Sequence, residues 1–355
     1  MFAARLLVSV VALLVAAGCG AGSDSGDDGK KKKVSPEERR AAISRAHVWD
    51  PVDIEAMDLR AGPQGKGAFA PMAAVTCKYS ERKPSGGRSP KFECELPDGD
   101  VVKVKYGEDN GEVYGVVAAT RLLWALGFGA DRWYPVSLTC KGCPYNPAAG
   151  GKPVDGERSL PFAVIEQKLP GKNLETFEDE GWSWDELALV DPKAGGAPRE
   201  HIDALELLAA MVQHTDNKPP QQRIVCPPGQ PHDPCPRPLM FLHDVGLTFG
   251  QATFVNHNDL SGANLREWQA APVWRDARKC VAKLQQSFTG SLGDPVISEG
   301  GRRFLADLLA RLSDKQLRDL FEVARFPQRS GTTADQWIEV FKSKRDAIRQ
   351  ATCPS

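Results

Sequence analysis

The sequence predicts an α+β protein with two lobes, strand-rich in its first half and helical in its second. Two observations support this prediction. Between residues 72 and 106, short segments of alternating polar and apolar residues are separated by Gly-, Pro- and Asp-rich turns, a pattern typical of paired strands. From residue 201 onward, apolar residues recur at helical spacing. Strands grouped before helices favour an α+β fold over one in which the two alternate.

The chain begins with the features of an export signal. Arg5 precedes an apolar run from Leu6 to Ala17, shorter than the roughly 20 residues needed to cross a membrane. The small residues before Cys19 make this segment resemble the lipobox of bacterial lipoproteins. The resemblance implies a signal peptide over residues 1–18 and a membrane anchor through lipid on Cys19. The protein would then lie in the bacterial cell envelope, facing the periplasm or the cell surface. An ordinary signal peptide with an incidental cysteine is the alternative.

Cysteine usage agrees with export. Without Cys19 the chain has an even number of cysteines, which favours disulfides in an exported protein. Sequence alone does not fix their connectivity, but closeness along the chain suggests four pairs. These pairs are Cys77–Cys94, Cys140–Cys143, Cys226–Cys235 and Cys280–Cys353. Zinc is the alternative for Cys140 and Cys143, whose spacing suits metal ligands, although no second pair has such spacing.

The organisation of the chain follows from these features. Residues 19–34 contain no run of apolar residues that would enter a core, so we expect a flexible tether. Globular sequence begins near Ser35, which with Glu38 forms a capping box at a predicted helix start. We expect a strand-rich lobe over residues 35–170 and a helical lobe over residues 171–355. A formal net charge of -1 offers no basic footprint, so no nucleic-acid partner is expected.

The elements of the first half follow in order. Strands are predicted at residues 73–79, 91–97 and 100–107, the last two joined by an Asp-Gly turn that is a strong hairpin signal. A helix is predicted over residues 111–128, closed by a glycine. Two more strands are expected at 132–138, "RWYPVSL", and at 161–169, "PFAVIEQKL", because both segments are rich in apolar and aromatic residues.

The second half carries helical patterns at residues 201–214, 302–312, 313–326 and 333–350. The last two open with capping boxes, in which a Ser or Thr is followed three residues later by Gln. Between the first and second of these helices, residues 222–226 and 239–243 are predicted to form a hairpin with a long proline-rich loop.

A segment just before that hairpin has the layout of a kinase catalytic loop, with His214, Asp216 and Lys218 in order and Gln221 at the position usually held by Asn. In such loops the aspartate accepts or orients the substrate hydroxyl and the amide binds metal. The resemblance therefore implies a catalytic role for Asp216 and a metal-binding role for Gln221. Gln222 is a competing choice for the amide.

The hairpin ends in Asp244, Val245 and Gly246, which resemble the Asp-x-Gly motif whose carboxylate holds Mg²⁺. Upstream, Lys105 ends a predicted strand where a kinase places the lysine that pairs with nucleotide phosphates. Glu112 opens the following helix and would hold that lysine in place.

Further nucleotide contacts are expected from a Gly-rich loop and from a linker. The loop "SGGRSPKF" precedes the lysine strand, and its free backbone amides would face phosphate oxygens. The linker spans residues 164–171 and would offer its backbone, near Glu166, to an adenine ring. The residues of the loop taken as cofactor-binding are Ser85, Gly86, Gly87 and Lys91.

In this order the motifs resemble the atypical kinase-like families: HipA-type kinases, phosphoinositide-kinase-like proteins and secreted kinases. The resemblance covers roughly residues 85–250 and implies a two-lobed kinase-like fold that binds ATP with Mg²⁺ or Mn²⁺. Two departures stand out. Gln221 replaces Asn, and Lys103 shares a strand face with Lys105 and would be able to take its role.

Each motif also has a plain structural interpretation. Lys103 and Lys105 would then belong to a solvated strand face, and Asp216 and Asp244 would be turn residues. His243 is expected to bond backbone at the end of its strand. Three functions remain open: a phosphotransferase acting on an extracytoplasmic protein, lipid or small molecule; a kinase-like binding module without catalysis; and a structural surface lipoprotein.

Overall fold

The structure is a computed structural model that describes residues 33–81, 89–250, 262–285 and 289–354. Residues 32–355 belong to one compact unit. The predicted sites at Cys19, Ser85, Gly86 and Gly87 lie outside the described residues.

Five strands of the first half close into a barrel in the order β1-β2-β3-β5-β4. Neighbouring strands are antiparallel except β1 and β4, which run parallel and complete the closure. The alternation seen in the sequence directs one side chain in two into the barrel, where residues such as Phe92 and Val104 are fully buried. The strands are β1 (Ala73–Ser80), β2 (Lys91–Glu95), β3 (Val101–Tyr106), β4 (Arg132–Lys141) and β5 (Glu157–Gln167).

The second half adds short strands around the predicted hairpin. A three-stranded sheet has the order β6-β8-β9, and two further pairs are formed by β7 with β12 and by β10 with β11. The antiparallel pairing of β8 with β9 is the hairpin that the sequence predicted. These strands are β6 (Lys172–Asn173), β7 (Asp216–Asn217), β8 (Gln222–Cys226), β9 (Leu239–Leu242), β10 (Trp274–Asp276), β11 (Val281–Ala282) and β12 (Thr289–Gly290).

Most helices lie in the second half of the chain. The capping boxes predicted at the starts of α1, α6 and α8 are all present. Aromatic rings of α4, α6, α7 and α8 pack against one another and form the centre of this helical part. The helices are α1 (Pro36–Ser44), α2 (Glu112–Ala125), α3 (Arg199–Met211), α4 (Leu265–Ala270), α5 (Glu299–Ala310), α6 (Asp314–Val323), α7 (Phe326–Ser330) and α8 (Ala334–Gln350).

Helix α2 is buried on nearly all sides. It packs against the barrel strands β3, β4 and β5 on one side and against α6 on another, so it joins the strand-rich and helical parts. This is why its sequence is apolar almost throughout, with a weak preference for one face. The helix ends before Gly127, whose φ of 89° places it in the left-handed region that suits glycine.

The first helix contacts the second half of the chain as well. Arg39 on α1 pairs with Glu186 and donates to the carbonyl oxygen of Gly181 at 2.8 Å. Further along, the backbone N–H of His47 donates to the carbonyl oxygen of Pro238 at 2.9 Å. Contacts therefore cross the boundary expected near residue 170, and the boundary itself stays a prediction.

The fold class is confirmed: the protein is α+β, with its strand-rich part first and its helical part second. Among the described residues, no helix combines the length and apolar composition that a membrane crossing requires. Disulfides join the four pairs that closeness along the chain suggested: Cys77–Cys94, Cys140–Cys143, Cys226–Cys235 and Cys280–Cys353.

Candidate active site

The centre of the site is a buried lysine held by two carboxylates. Lys105, near the end of β3, has a fully buried side chain. Its Nζ donates to Oε2 of Glu112 at 2.6 Å and lies 3.0 Å from both carboxylate oxygens of Asp244. The two acids are partly exposed, at 14% for Glu112 and 19% for Asp244. A strand end and the next helix start, seven residues apart, therefore meet the distant Asp244 at one ammonium group that water does not reach.

The charges of this triad stabilise one another. Burial alone would lower the pKa of Lys105, but Asp244 and Glu112 outweigh it and raise that pKa above its ordinary value of 10.5. Burial would likewise raise the pKa of Asp244, but Lys105, with help from Lys103 and His243, lowers it below its ordinary value of 3.8. Both groups are therefore charged at neutral pH.

Asn110 fixes the start of α2 beside the end of β3. Its Oδ1 accepts a hydrogen bond from the backbone N–H of Glu112 at 3.1 Å, and its Nδ2 donates to the carbonyl oxygen of Tyr106 at 3.2 Å. The same Nδ2 donates to Oγ of Ser89 at 3.0 Å, at the end of the Gly-rich loop. One amide thus sets where Glu112 lies relative to Lys105.

Two glycines let α2 approach the segment that follows Asp244. A Cβ on Gly246 would lie 2.9 Å from Cγ of Glu112, and a Cβ on Gly115 would lie 2.5 Å from the carbonyl oxygen of Gly246. Neither space admits a side chain without displacement of its neighbour. The sequence indicated Gly246 through the Asp-x-Gly motif, but nothing in the sequence indicated that Gly115 serves the same contact.

The predicted catalytic loop leaves α3 through Gln213, which has a φ of 57°. Asp216 follows on β7, and Nζ of Lys218 lies 3.0 Å and 2.9 Å from its two carboxylate oxygens. Nε2 of Gln221 donates to Oδ2 of Asp216 at 2.6 Å. The side chains of Asp216, Lys218 and Gln221 therefore form one hydrogen-bonded group.

Backbone hydrogen bonds join this loop to the Asp244 segment. The carbonyl oxygen of Gln221 accepts from the N–H groups of His243 at 2.8 Å and Asp244 at 3.0 Å. The N–H of Thr215 donates to the carbonyl oxygen of Leu247 at 3.2 Å. The structure thus brings Gln221 next to Asp244, as the hairpin predicted.

Gln222, the competing choice for the metal-binding amide, points elsewhere. Its side chain is fully buried, and Nε2 donates to the carbonyl oxygen of Asn217 at 3.1 Å. Gln221 differs in that its side chain bonds Asp216 and its carbonyl oxygen accepts from the N–H of Asp244, but the choice between the two amides stays a prediction.

His214 is close enough to Asp216 and Asp244 to interact with both charges. Its ring is fully buried, and neither ring nitrogen has a hydrogen-bond partner among the described residues. Burial lowers the pKa of His214 to about 4, against the opposing charges of Asp216 and Asp244. The ring is thus neutral at pH 7, and it lies edge to face with the ring of Trp184, at 6.2 Å between ring centroids.

Lys103 has a different role from Lys105. Its Nζ lies 2.6 Å from Oε1 of Glu166, and both lysines lie over the ring of Trp133, at 5.2 Å and 5.1 Å from its centroid. The interpretation of these lysines as a solvated strand face is therefore wrong. Each lysine instead has its own carboxylate partner.

The predicted linker over residues 164–171 overlaps the end of strand β5, in line with the strand predicted at 161–169, and its role as a linker stays a prediction. Strand β5 continues to Gln167, and Glu166 pairs with Trp133 of β4 in the sheet. Val164 and Ile165 pair with both β3 and β4, whereas Glu166 and Gln167 pair with β4 alone. The side chain of Glu166 is buried and engages Lys103, so its assignment as a cofactor-binding residue stays a prediction.

Lys91 lies directly across from Lys105 in the pairing of β2 with β3. Burial lowers the pKa of Lys91, and the neighbouring charge of Lys105 lowers it further. It is therefore a second cation beside the triad, at the end of the Gly-rich loop. Its predicted contact with phosphate stays a prediction.

A carboxylate–histidine pair adjoins the site and was missed by the sequence. Nδ1 of His243 pairs with Oδ2 of Asp131, whose Oδ1 accepts from the N–H of Leu169 at 2.6 Å. The prediction that His243 bonds backbone through its ring is therefore wrong. Asp131 follows the glycine-rich end of α2, and the sequence offered only its position in "GFGAD" as a signal.

Comparison with known proteins adds little to this geometry. No protein family and no curated protein matches the sequence. Among solved structures, the chain is similar to the crystal structure of a Helicobacter pylori proinflammatory kinase, CtkA, at 10% sequence identity and a TM-score of 0.38. The match covers 79% of this chain and 100% of that chain. A similarity this weak assigns no function to this chain. The contacts of Lys105 described above do not depend on it.

Proposed function

We propose that the protein is a kinase-like phosphotransferase with a site for ATP and Mg²⁺ or Mn²⁺, carried on an exported lipoprotein. The observation that carries the proposal is the contact of the fully buried Lys105 with both Glu112 and Asp244. A buried ionic cluster is a weak source of stability, since the cost of removing its charges from water offsets most of their attraction. Groups with strongly shifted pKa values in such a cluster are more often found at functional sites.

The residues present fit a nucleotide–metal complex. Mg²⁺ prefers oxygen ligands, usually one or two carboxylates together with phosphate oxygens and water. Asp244 supplies a charged carboxylate that is partly exposed, and Gln221 supplies an amide oxygen, since its Nε2 is engaged with Asp216. When bound, Mg²⁺ would neutralise charge on the phosphates.

In the proposed complex, Lys105 keeps its contact with Glu112 and exchanges Asp244 for phosphate oxygens. Glu112 holds the ammonium in place, so nucleotide binding does not have to order the lysine side chain. Lys91, across the strand pair, adds a second positive charge towards the phosphates. Asp216 orients the hydroxyl of the acceptor substrate, which is the role of the aspartate in a kinase catalytic loop.

The exported location rests on two kinds of support. The four disulfides fit an oxidising compartment. The lipid anchor on Cys19 and the signal peptide rest on the sequence pattern alone. The acceptor is an extracytoplasmic protein, lipid or small molecule whose hydroxyl reaches Asp216.

A second function, nucleotide binding without transfer, is favoured by one observation. Both oxygens of Asp216 already contact Lys218, and one also accepts from Gln221. Gln is longer than Asn by one methylene, which moves its oxygen relative to the position in the usual loop. Such an arrangement would allow ATP to bind but would keep Asp216 from orienting the acceptor hydroxyl.

Two measurements on the same variants separate these functions. We expect Asp216→Asn to bind ATP with Mg²⁺ as tightly as the parent, because this residue contributes to the transition state and little to nucleotide binding. It should lose phosphate transfer by at least about 100-fold. Asp98→Asn, in the exposed turn between β2 and β3, is the control and should change neither nucleotide binding nor phosphate transfer. Binding by the parent without transfer to any acceptor or to water would select the binding module.

A further inference from the structure

Four sulfur atoms converge at one end of the barrel. The disulfides Cys77–Cys94 and Cys140–Cys143 come from β1, β2, β4 and the turn after β4. Sγ of Cys94 lies 3.9 Å from Sγ of Cys140. The sulfurs of Cys77, Cys94 and Cys140 all lie within 4.8 Å of one another, and Cys143 is bonded to Cys140. The four residues are buried in the apolar core of the barrel.

Strand pairing explains why these cysteines meet. In the parallel pair β1–β4, Cys77 lies directly opposite Cys140. In the antiparallel pair β1–β2, Cys94 lies opposite Tyr79, two residues along from Cys77. Gly142, with a φ of 74°, then turns the chain so that Cys143 comes back towards Cys140. Strand pairing therefore brings Cys77, Cys94 and Cys140 together, and the turn at Gly142 adds Cys143.

The distance between sulfurs of the two disulfides is close to that in a metal–thiolate centre, and the bonded sulfurs would move apart to similar distances after reduction. A tetrahedral zinc site has Zn–S distances of about 2.3 Å, which places its sulfurs about 3.8 Å apart. The distance of 3.9 Å between the sulfurs of Cys94 and Cys140 matches this value. Cys140 and Cys143 also have the two-residue spacing that zinc ligands favour, and Cys77 with Cys94 supplies the second pair that the sequence did not reveal.

We propose that these four cysteines form a redox-dependent metal site: two disulfides when oxidised, and a tetrathiolate centre for one Zn²⁺ or similar soft cation when reduced. Each disulfide takes two electrons and two protons from a dithiol reductant, which is itself oxidised to a disulfide. Binding of the cation then releases the four thiol protons, and four metal–sulfur bonds replace the two sulfur–sulfur bonds. The metal keeps β1, β2 and β4 joined after the covalent links have been opened.

The other two disulfides provide a contrast within the same chain. Among the described residues, neither Cys226–Cys235 nor Cys280–Cys353 belongs to a group of three or more possible ligands at this spacing. Reduction of either pair gives two thiols, which cannot by themselves complete a four-sulfur site. The proposed site is thus specific to the barrel, and it does not depend on the proposed nucleotide site.

The test is titration of the reduced full-length chain with Co²⁺ without oxygen. Four-thiolate Co²⁺ is tetrahedral and absorbs visible light far more strongly than hydrated Co²⁺. Metal binding can therefore be followed by absorbance, without an activity assay. The chain is reduced with a phosphine, its thiols are counted, and Co²⁺ is added in steps. We expect one Co²⁺ per chain with the intense visible bands of a four-thiolate site, and displacement of this Co²⁺ by one equivalent of Zn²⁺.

Two variants and the oxidised parent serve as controls. Cys140→Ser with Cys143→Ser should lose the bands, whereas Cys226→Ser with Cys235→Ser should keep them at full intensity. The oxidised parent carries no substitution and should show no visible bands. Comparing it with the reduced parent therefore tests the site even if the first variant does not fold. A reduced parent without stoichiometric Co²⁺, or bands that persist in the first variant, would overturn the proposal.

Discussion

Replacing Lys105 with methionine isolates the contribution of its charge. Lys105→Met removes the ammonium group and keeps an unbranched side chain of similar length in the same buried space. Glu112 and Asp244 are then left facing each other without the cation that both contact. The triad changes from a net charge of -1 to -2, in surroundings that water only partly reaches.

The size of the effect follows from the burial of the three groups. Removing one partner of a buried ion pair costs about 3–5 kcal/mol, because the other charge stays buried and unpaired. Glu112 is 14% exposed and Asp244 is 19% exposed, so both can regain part of their hydration. We therefore expect the free energy of unfolding to fall by about 3 kcal/mol, the lower end of that range. Added Mg²⁺ should restore part of the loss by supplying positive charge between the carboxylates.

Urea unfolding at pH 7, without nucleotide or metal, measures this difference. Lys91→Met is the matched control, since Lys91 lies opposite Lys105 in the sheet and burial disfavours its charge. Its loss should change the free energy of unfolding by less than about 1 kcal/mol. Equal losses in the two variants would refute the assignment of Lys105 as the cation that holds the site together.

The stabilisation by Lys105 should also depend on pH in a defined way. The folded pKa of Asp244 is lowered, so its contribution is fully present above its ordinary value of 3.8 and is lost as the pH falls through the folded value. The folded pKa of Lys105 is raised, so its contribution is fully present below 10.5 and is lost as the pH rises through the folded value. The difference between parent and Lys105→Met should therefore be constant from about pH 5 to pH 9 and shrink in acid. A difference that grows on acidification would contradict this account.

Three further predictions test the surroundings of the site. Gly246→Ala should displace Glu112 and lower the free energy of unfolding by about 1–3 kcal/mol, measured against Gly293→Ala, where no atom lies within 4 Å of the added Cβ. Replacing Cys226 and Cys235 by serine should cost about 2–3 kcal/mol and weaken nucleotide binding, because this disulfide closes the hairpin that leads to the Asp244 segment. Mass spectrometry of the mature chain should find lipid on Cys19, and an unmodified Cys19 would rule out the anchor.

Local patterns were sufficient to predict most of the elements. The capping boxes, the Asp-Gly hairpin turn and three of the four disulfides each depend on residues close together in the sequence or on adjacent strands, whereas Cys280 and Cys353 are 73 positions apart. The approach of Glu112 to Lys105 also belongs here, because a strand end and the next helix start are separated by only a short turn. In such cases the chain itself brings the partners together.

Contacts between distant segments could not be predicted in the same way. His243 and Asp131 are separated by 112 positions, and nothing local distinguishes this histidine from one that bonds backbone. Gly115 lies in an apolar helix, and the reason a glycine is required there is visible only from its packing against Gly246. The extent of β5 depends on pairing with β4, which continues through Glu166 and Gln167.

The four-sulfur cluster illustrates the same limit. From the sequence, Cys140 and Cys143 had no second ligand pair, because Cys77 and Cys94 are far from them along the chain and 17 positions apart. Only the parallel pairing of β1 with β4 places Cys77 opposite Cys140. Closure of the barrel, which no local pattern encodes, brings the four sulfurs together.

Calorimetric titration of ATP with Mg²⁺ into the parent and Asp244→Asn tests the central claim most directly. This substitution keeps the shape of the side chain and removes the charge that would hold the metal. Asp98→Asn, in an exposed turn, controls for the loss of one carboxylate. We predict saturable, metal-dependent binding by the parent and by Asp98→Asn, and an affinity at least about 10-fold lower for Asp244→Asn, which corresponds to about 1.4 kcal/mol. Equal binding by the parent and Asp244→Asn, or no binding by either, would contradict the kinase-like site.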